Sequence, residues 1–463
     1  MNAIILSAVF GVVMMLCSFM VKNRNSIRHI ASLLLLILLI ANIADTYGGT
    51  LFTINTYGML SFDKFGYLFN SIAVGSTLIY ALITGKEIEK LGKYAAEYFT
   101  LIFFVLCGSA LLSSYNNLLT LFLGIEILSI PLYILTGSDK RNMKSNEAAL
   151  KYFLMGSFST GILLMGIAFT YGGTGTFSME ATRTGTGLYK DLASFLEILG
   201  LLFLLVGLSF KVSAAPFHFW APDVYDGAPT VFTSFMATIV KAAGFIGFYK
   251  LCVVRMTETS GVVDWKLIFA IITFSTLLIG NITAVFQQSV KRMLAYSSIA
   301  HAGFMLFALM SLNDVADEGI LFYAVAYSLA TIGLFATLAK MKDFTFDGYN
   351  GLAKTQPVLA ATNVIFLLSL AGIPLTAGFF AKYYMLASLI KTGTYTWLVI
   401  AGVLFAAVSV YYYFRMIQAM YFKDGNSKTE EISPSFNTGI ILLAALIILL
   451  GIFPSLILNW LYF

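Results

Sequence analysis

The stretch from Leu201 to Thr230, LLFLLVGLSFKVSAAPFHFWAPDVYDGAPT, decides how this chain is read. An apolar run leads into Lys211, and Pro216 interrupts the same helix one turn later. An ammonium near the middle of a bilayer costs about 2.5–3.5 kcal/mol even on the lenient insertion scale, so chains keep one only where it faces protein or water. Proline removes a backbone donor and clashes with the preceding turn. A helix broken at membrane depth persists only where it is buried in protein or lines a wet cavity. Lysine and break together predict an ion path rather than a greasy anchor.

The rest of the chain fits a membrane setting. Of 463 residues, 59% are hydrophobic and only 11% are charged, with mean hydropathy +0.87. A soluble domain carries about 25% charged residues. Apolar stretches long enough to cross a bilayer recur from end to end. Hydropathy and helix breakers predict about fourteen spans, at roughly 2–21, 29–45, 64–84, 97–113, 115–136, 147–171, 195–220, 229–252, 264–288, 292–312, 319–340, 357–386, 396–421 and 437–461. The first lacks a basic region before it and an Ala-x-Ala-like site after it, so it reads as a retained span. The expected fold is therefore an all-α polytopic membrane protein. Of the 28 basic residues, sixteen fall in odd-numbered connections and seven in even-numbered ones. The positive-inside rule then puts odd connections in the cytoplasm and both termini on the outer side.

A second segment, Leu367 to Lys382 (LLSLAGIPLTAGFFAK), again sets a proline, Pro374, and a lysine inside one apolar run. The two broken spans are the seventh and the twelfth, five apart, so they cross the membrane in opposite senses. Two interrupted segments in corresponding positions point to an inverted repeat with the ion path at its centre. The predicted units are an N-terminal three-helix segment (1–96), a first half of spans four to eight (97–252), a second inverted half of spans nine to thirteen (264–421) and a C-terminal helix (437–461). Two proline kinks arising independently is the plainer alternative.

Cofactor chemistry finds no support. Cys17, Cys107 and Cys252 are scattered in apolar runs with no CxxC pair, and the three histidines lack HExxH spacing. No GxGxxG follows a strand-like run, and Gly172 to Thr176 reads as a loop between spans. No metal, no dinucleotide and no nucleic acid partner is expected; the lipid bilayer is.

Several charged residues stand inside spans. Glu126 lies deep in the fifth span and needs a cation, with Lys151 or Lys211 the candidates; clamping two helices is its structural alternative. Glu147 and Lys151 are four apart on one helix face, which also suits an ordinary interfacial pair. Lys241 sits mid-helix, about eleven residues from each end of its span, too far to snorkel easily. His218 is placed to bridge Lys211 and Lys241, or to be one more packed ring beside Phe217, Phe219 and Trp220. His301, among small hydroxyls, and Lys382 would give the second half an equivalent relay. Arg415 reads as a snorkelling anchor near a span end.

These residues sit in blocks that resemble the antiporter-like membrane subunits of NADH–quinone oxidoreductase (respiratory complex I), most closely the N-type branch. The blocks are IEILSIPLYIL (Ile125 to Leu135), the run from Glu147 to Thr176, FKVSAAPFHFWAPDVYDGAPTVFTSFMATIVKAA (Phe210 to Ala243), QQSVKRMLAYSSIAHAGF (Gln287 to Phe304) and LSLAGIPLTAGFFAKYYML (Leu368 to Leu386). The resemblance runs from about Tyr98 to Phe422. PDVYDGAPT is the discriminating block, since sister subunits and cation/proton antiporters look more like PDAMxGPTP there; lysine rather than glutamate at Lys382 argues against the M-type branch. The resemblance implies a proton-translocating subunit. Glu126 takes the place of the fifth-helix glutamate, Lys211 of the broken-helix lysine, Lys241 of the eighth-helix lysine and Lys382 of the twelfth. It also implies that NADH, flavin, iron–sulfur clusters and quinone are bound by other subunits, that sister membrane subunits are the partners, and that the location is a bacterial cytoplasmic membrane. A stand-alone or Mrp-type cation/proton antiporter subunit is the alternative.

Overall fold

The computed structural model describes residues 1–21, 24–179, 190–256 and 263–461. Thirteen helices among them are long and apolar enough to cross a membrane. A further crossing, span 12, is divided into Pro357–Ala371 and Ala377–Lys391, giving fourteen. Each long helix has at least 18 residues, near the ~20 needed for the hydrocarbon core.

Hydrogen bonds between connections fix the alternation. Even-numbered connections pair with one another, Leu60 with Tyr115 and Asn117 with Ser178. Odd-numbered ones do the same, Ser289 with Thr345 and Met341 with Thr429. A polar cavity of about 630 Å³ is lined from connections three, five, seven, nine, eleven and thirteen, including Glu87, Asp139, Asp226, Lys291, Asp343 and Glu430. The N-terminal ammonium bonds Asp45 at 3.1 Å, at the start of connection two. Trp460 shares a pocket with Tyr47 and Lys64 on that same face. Both described ends of the chain therefore lie on the even-numbered face.

Burial sorts the spans by role. Span 8 (Thr230–Arg255) is buried along its whole apolar stretch, and span 10 (Val290–Ser311) and span 11 (Asp314–Leu338) almost so. Outer spans turn apolar side chains such as Phe19, Phe158, Leu404 and Leu442 outward, the arrangement expected where lipid is the solvent. One pattern of contacts between spans occurs twice. Span 4 meets 5 as 9 meets 10, and span 6 meets both parts of 7 as 11 meets both parts of 12.

Side chains bond backbone groups at both breaks, as a dry interior demands. Span 7 runs as Lys190–Lys211, opens through 212–219, and resumes as Trp220–Gly227, well beyond the residue 220 expected as its end. Ala215 N–H is bonded by Thr276 Oγ1 at 2.9 Å, and Trp220 Nε1–H donates to Phe210 O at 2.9 Å. Gly378 N–H donates to Ser369 Oγ at 3.1 Å across the second break. Two smaller expectations need correction. The segment Gly172 to Thr174 is helical, closing span 6 (Met143–Thr174) on left-handed Gly175. Arg415 is no free anchor: it donates to Gln287 O and Gln288 Oε1, both at 2.8 Å, and lies over Phe346. Arg183, counted above among even-numbered connections, lies outside the described residues.

Candidate functional site: a line of buried lysines

Lys211, the last residue of the first part of span 7, is buried and donates to Ser129 Oγ at 2.7 Å. Ser129 is three residues after Glu126 on span 5 (Leu118–Thr136), so it presents on the same helix face one turn on. Glu126 itself is half-buried and makes no ion pair with Lys211, although it is the carboxylate whose field reaches that lysine. The expected direct Glu126–Lys211 contact is not formed; Lys211 meets Ser129 instead, whose hydroxyl donates to Ile125 O.

The other expected partner of Glu126 is engaged elsewhere. Lys151 binds Glu147 at 2.8 Å, as its spacing suggested, and also Asp223 at 2.9 Å. Asp223 takes Arg292 at 3.0 Å on its other oxygen. Neither Asp223 nor Arg292 stood out in the sequence, because both sit near span ends where charge is cheap.

Lys241 follows a widened, π-helical turn at Met236–Val240. Only 2% exposed, it donates to Ser298 O at 2.7 Å and Ser298 Oγ at 2.6 Å on span 10. Tyr225 and Tyr327 hydroxyls interact with the same serine. Lys211 approaches from the other side: a Cβ on Gly244, one turn beyond Lys241, would lie 3.5 Å from Lys211 Cγ.

His301 is one turn beyond Ser298 on span 10 and fully enclosed. Its Nδ1 pairs with Tyr323 Oη at 2.5 Å and its Nε2 with Tyr413 Oη at 3.1 Å. Tyr413 also bonds Ser297. On span 10 His301 stands between Ser298, which holds Lys241, and Phe304, which lies beneath Lys382. Lys382, in the second turn of Ala377–Lys391, donates to Ala371 O at 2.8 Å and more weakly to Ser409 Oγ at 3.4 Å, with Phe304 beneath it. It therefore caps the C-terminal end of the helix before the break, where the dipole favours a cation.

His218 is the exception. It lies in the first break, buried against Phe219, with no bond to Lys211 or Lys241 and with Nδ1 unpartnered. Among the described residues no cluster of three metal-ligating side chains occurs.

A bundle with two broken helices and a line of buried lysines has the form of ion-translocating membrane subunits, and residues 115–409 match the family described as NADH:quinone oxidoreductase/Mrp antiporter, TM. The chain is 37% identical to NADH-quinone oxidoreductase subunit N of Trichlorobacter lovleyi, over 99% of this chain and 95% of that one. It is 38% identical to the subunit N of Cytophaga hutchinsonii, over 99% of both. A chain of respiratory complex I from Thermus thermophilus with bound aureothin superposes with TM-score 0.83 at 31% identity, over 99% of both. A chain of the Mrp complex from Dietzia shares the fold, with TM-score 0.84 at 17% identity over 99% of this chain and 95% of that one. This chain belongs to the NADH-quinone oxidoreductase subunit N family.

Proposed function

We propose that the chain is a proton-translocating membrane subunit of an NADH–quinone oxidoreductase of the complex I kind. Electrons pass from NADH to quinone in other subunits, which hold the flavin, iron–sulfur clusters and quinone, and sister membrane subunits are its neighbours. The relay is Glu126, Lys211, Lys241, His301 and Lys382, with His218 in the first break.

One observation carries this reading. Lys211, Lys241 and Lys382 are buried inside spans, yet among the described residues each is held only by hydroxyl and carbonyl oxygens. Ionisable residues kept inside spans mark ion pathways by default, and no described carboxylate is bonded to any of these three. Each of these can lose its proton without stranding a buried carboxylate. Hydroxyls both donate and accept, so Ser298 and the Tyr323–His301–Tyr413 set can pass a proton by exchanging bonds. The step from Lys211 to Lys241 passes beside Gly244, which packs against Val212 and Lys211, and bridging water carries the proton across it. His218 Nδ1 is a buried polar atom free to meet such water. Driving one charge across 100 mV takes about 2.3 kcal/mol. Withdrawing Glu126's influence from Lys211 must change that lysine's hold on its proton by a comparable amount.

The pairs of spans repeated in 97–252 and 264–421 support two inverted halves, flanked by 1–96 and 437–461. The basic odd-numbered connections support a bacterial cytoplasmic membrane location with both termini periplasmic. A stand-alone or Mrp-type cation/proton antiporter subunit shares the fold, but the full-length identity to subunit N chains and the PDVYDGAPT block favour the complex I reading.

The test uses the intact complex in inverted membrane vesicles, with Glu126→Gln, Lys211→Met and both together. Each single change should depress NADH-driven pumping at normal assembly, and the pair should do no more harm than the worse single. Wild-type pumping by both single variants would refute the proposal.

A further inference from the structure

A charged cluster off the line joins the two halves, centred on Asp223. One oxygen of Asp223 takes Lys151 of span 6 at 2.9 Å, and the other takes Arg292 of span 10 at 3.0 Å. Lys291, next to Arg292, donates to Asp226 O at 2.9 Å and Ala228 O at 2.6 Å, carbonyls at the end of the same short helix. The first turn of span 10 therefore grips Trp220–Gly227 at two points and Ala228, just past its end, at a third. Span 6 holds it from the other side, closely enough that a Cβ on Gly227 would lie 2.6 Å from Lys144 O.

Span 10 is also the helix that carries the middle of the relay. Ser298 lies seven residues, two turns, beyond Lys291 on the same face, and His301 lies one turn further. Whatever fixes Trp220–Gly227 against the start of span 10 thus fixes where Ser298 meets Lys241. We infer that Asp223 is a positioning residue, a clasp that ties the far part of broken span 7 to spans 6 and 10 and so sets the register of Ser298 and His301 against Lys241. Its pairs are partly exposed, at 35–42% for Arg292, Asp223 and Lys151. An exposed pair is weak singly and stronger in a network, which suits a contact that yields and re-forms during turnover.

This inference rests on the translocation reading above, and its test separates the two. In vesicles bearing the intact complex, Asp223→Asn should lower protons pumped per NADH oxidised by roughly two- to fivefold at unchanged assembly, the effect of losing one coupled interaction. Asp223→Glu, which keeps the carboxylate, should retain most of the ratio. Asp223→Arg combined with Arg292→Asp should recover pumping relative to either change alone, as a merely structural role at one position would not. If Asp223→Asn does not assemble, Arg292→Gln gives the same reading from the other side. A wild-type ratio in the neutral variant, or a loss that neither Asp223→Glu nor the exchange recovers, overturns the clasp. In that case Glu126→Gln and Lys211→Met stay impaired, whereas failure of the translocation reading leaves those two at wild-type pumping.

Discussion

Gly372 and Lys382 depend on each other. Gly372 sits at φ +83°, and a Cβ there would come 2.8 Å from Lys382 Cδ. Both backbone and packing require glycine, so Gly372→Ala should destabilise the protein by about 1–3 kcal/mol, read as a lower unfolding temperature of the purified complex. Ser298→Ala is milder. It removes one of Lys241's two acceptors and leaves the Ser298 carbonyl, so pumping should fall by a few-fold, about what a hydrogen bond worth ~1 kcal/mol supports. An unchanged rate would remove the hydroxyl from the relay. At this scale the sequence speaks through charge. Glu126, Lys211, Lys241 and Lys382 are conspicuous because a charge in an apolar run is costly. Ser129, Ser298, Ser409, Tyr323 and Tyr413 are not, because hydroxyls are common and cheap in membrane helices. The one available signal was Ser129, a turn from Glu126. Lys151 is equally conspicuous, and its charge is shared between Glu147, as the spacing suggested, and Asp223, which the sequence did not announce.

The two broken helices are where element geometry and chemistry meet. Proline and lysine inside one apolar run located both breaks, but not their extent. Span 7 restarts only at Trp220, and within its break Ala215 N–H is held by Thr276 of a neighbouring span, a partner that no local pattern announces. Gly378 opens the second helix of span 12 against the first, and a Cβ there would fall 1.7 Å from Ser369 O. Backbone cannot yield as a flexible side chain does, so Gly378→Ala should force the two parts of span 12 apart and block assembly of the complex. Gly161, with nothing within 4 Å of an added Cβ, is the matched control. Gly161→Ala should assemble normally and stabilise span 6 slightly, by up to about 1 kcal/mol. Equal behaviour of the two variants in assembly assays would show that the close approach at Ser369 has no role.

Among the described residues, the paired connections are odd with odd and even with even, so one labelling experiment fixes the orientation of the bundle. With Cys17, Cys107 and Cys252 replaced, a cysteine at exposed Asp424 should react with an impermeant thiol reagent only from the cytoplasmic side, and one at exposed Thr394 only from the periplasmic side. The reverse pattern would overturn the orientation read from basic residues while leaving the fold intact. The proposed relay runs from Glu126 to Lys382, and it requires buried lysines to release protons. The most direct measurement is NADH-driven pumping by the intact complex carrying Lys382→Arg. Arginine keeps the positive charge and can still donate to Ala371 O and Ser409 Oγ over Phe304, but guanidinium does not deprotonate in proteins. The expected result is a complex that assembles and oxidises NADH yet pumps poorly. Full pumping by the arginine variant would show that Lys382 holds a charge without releasing a proton, and would contradict the relay.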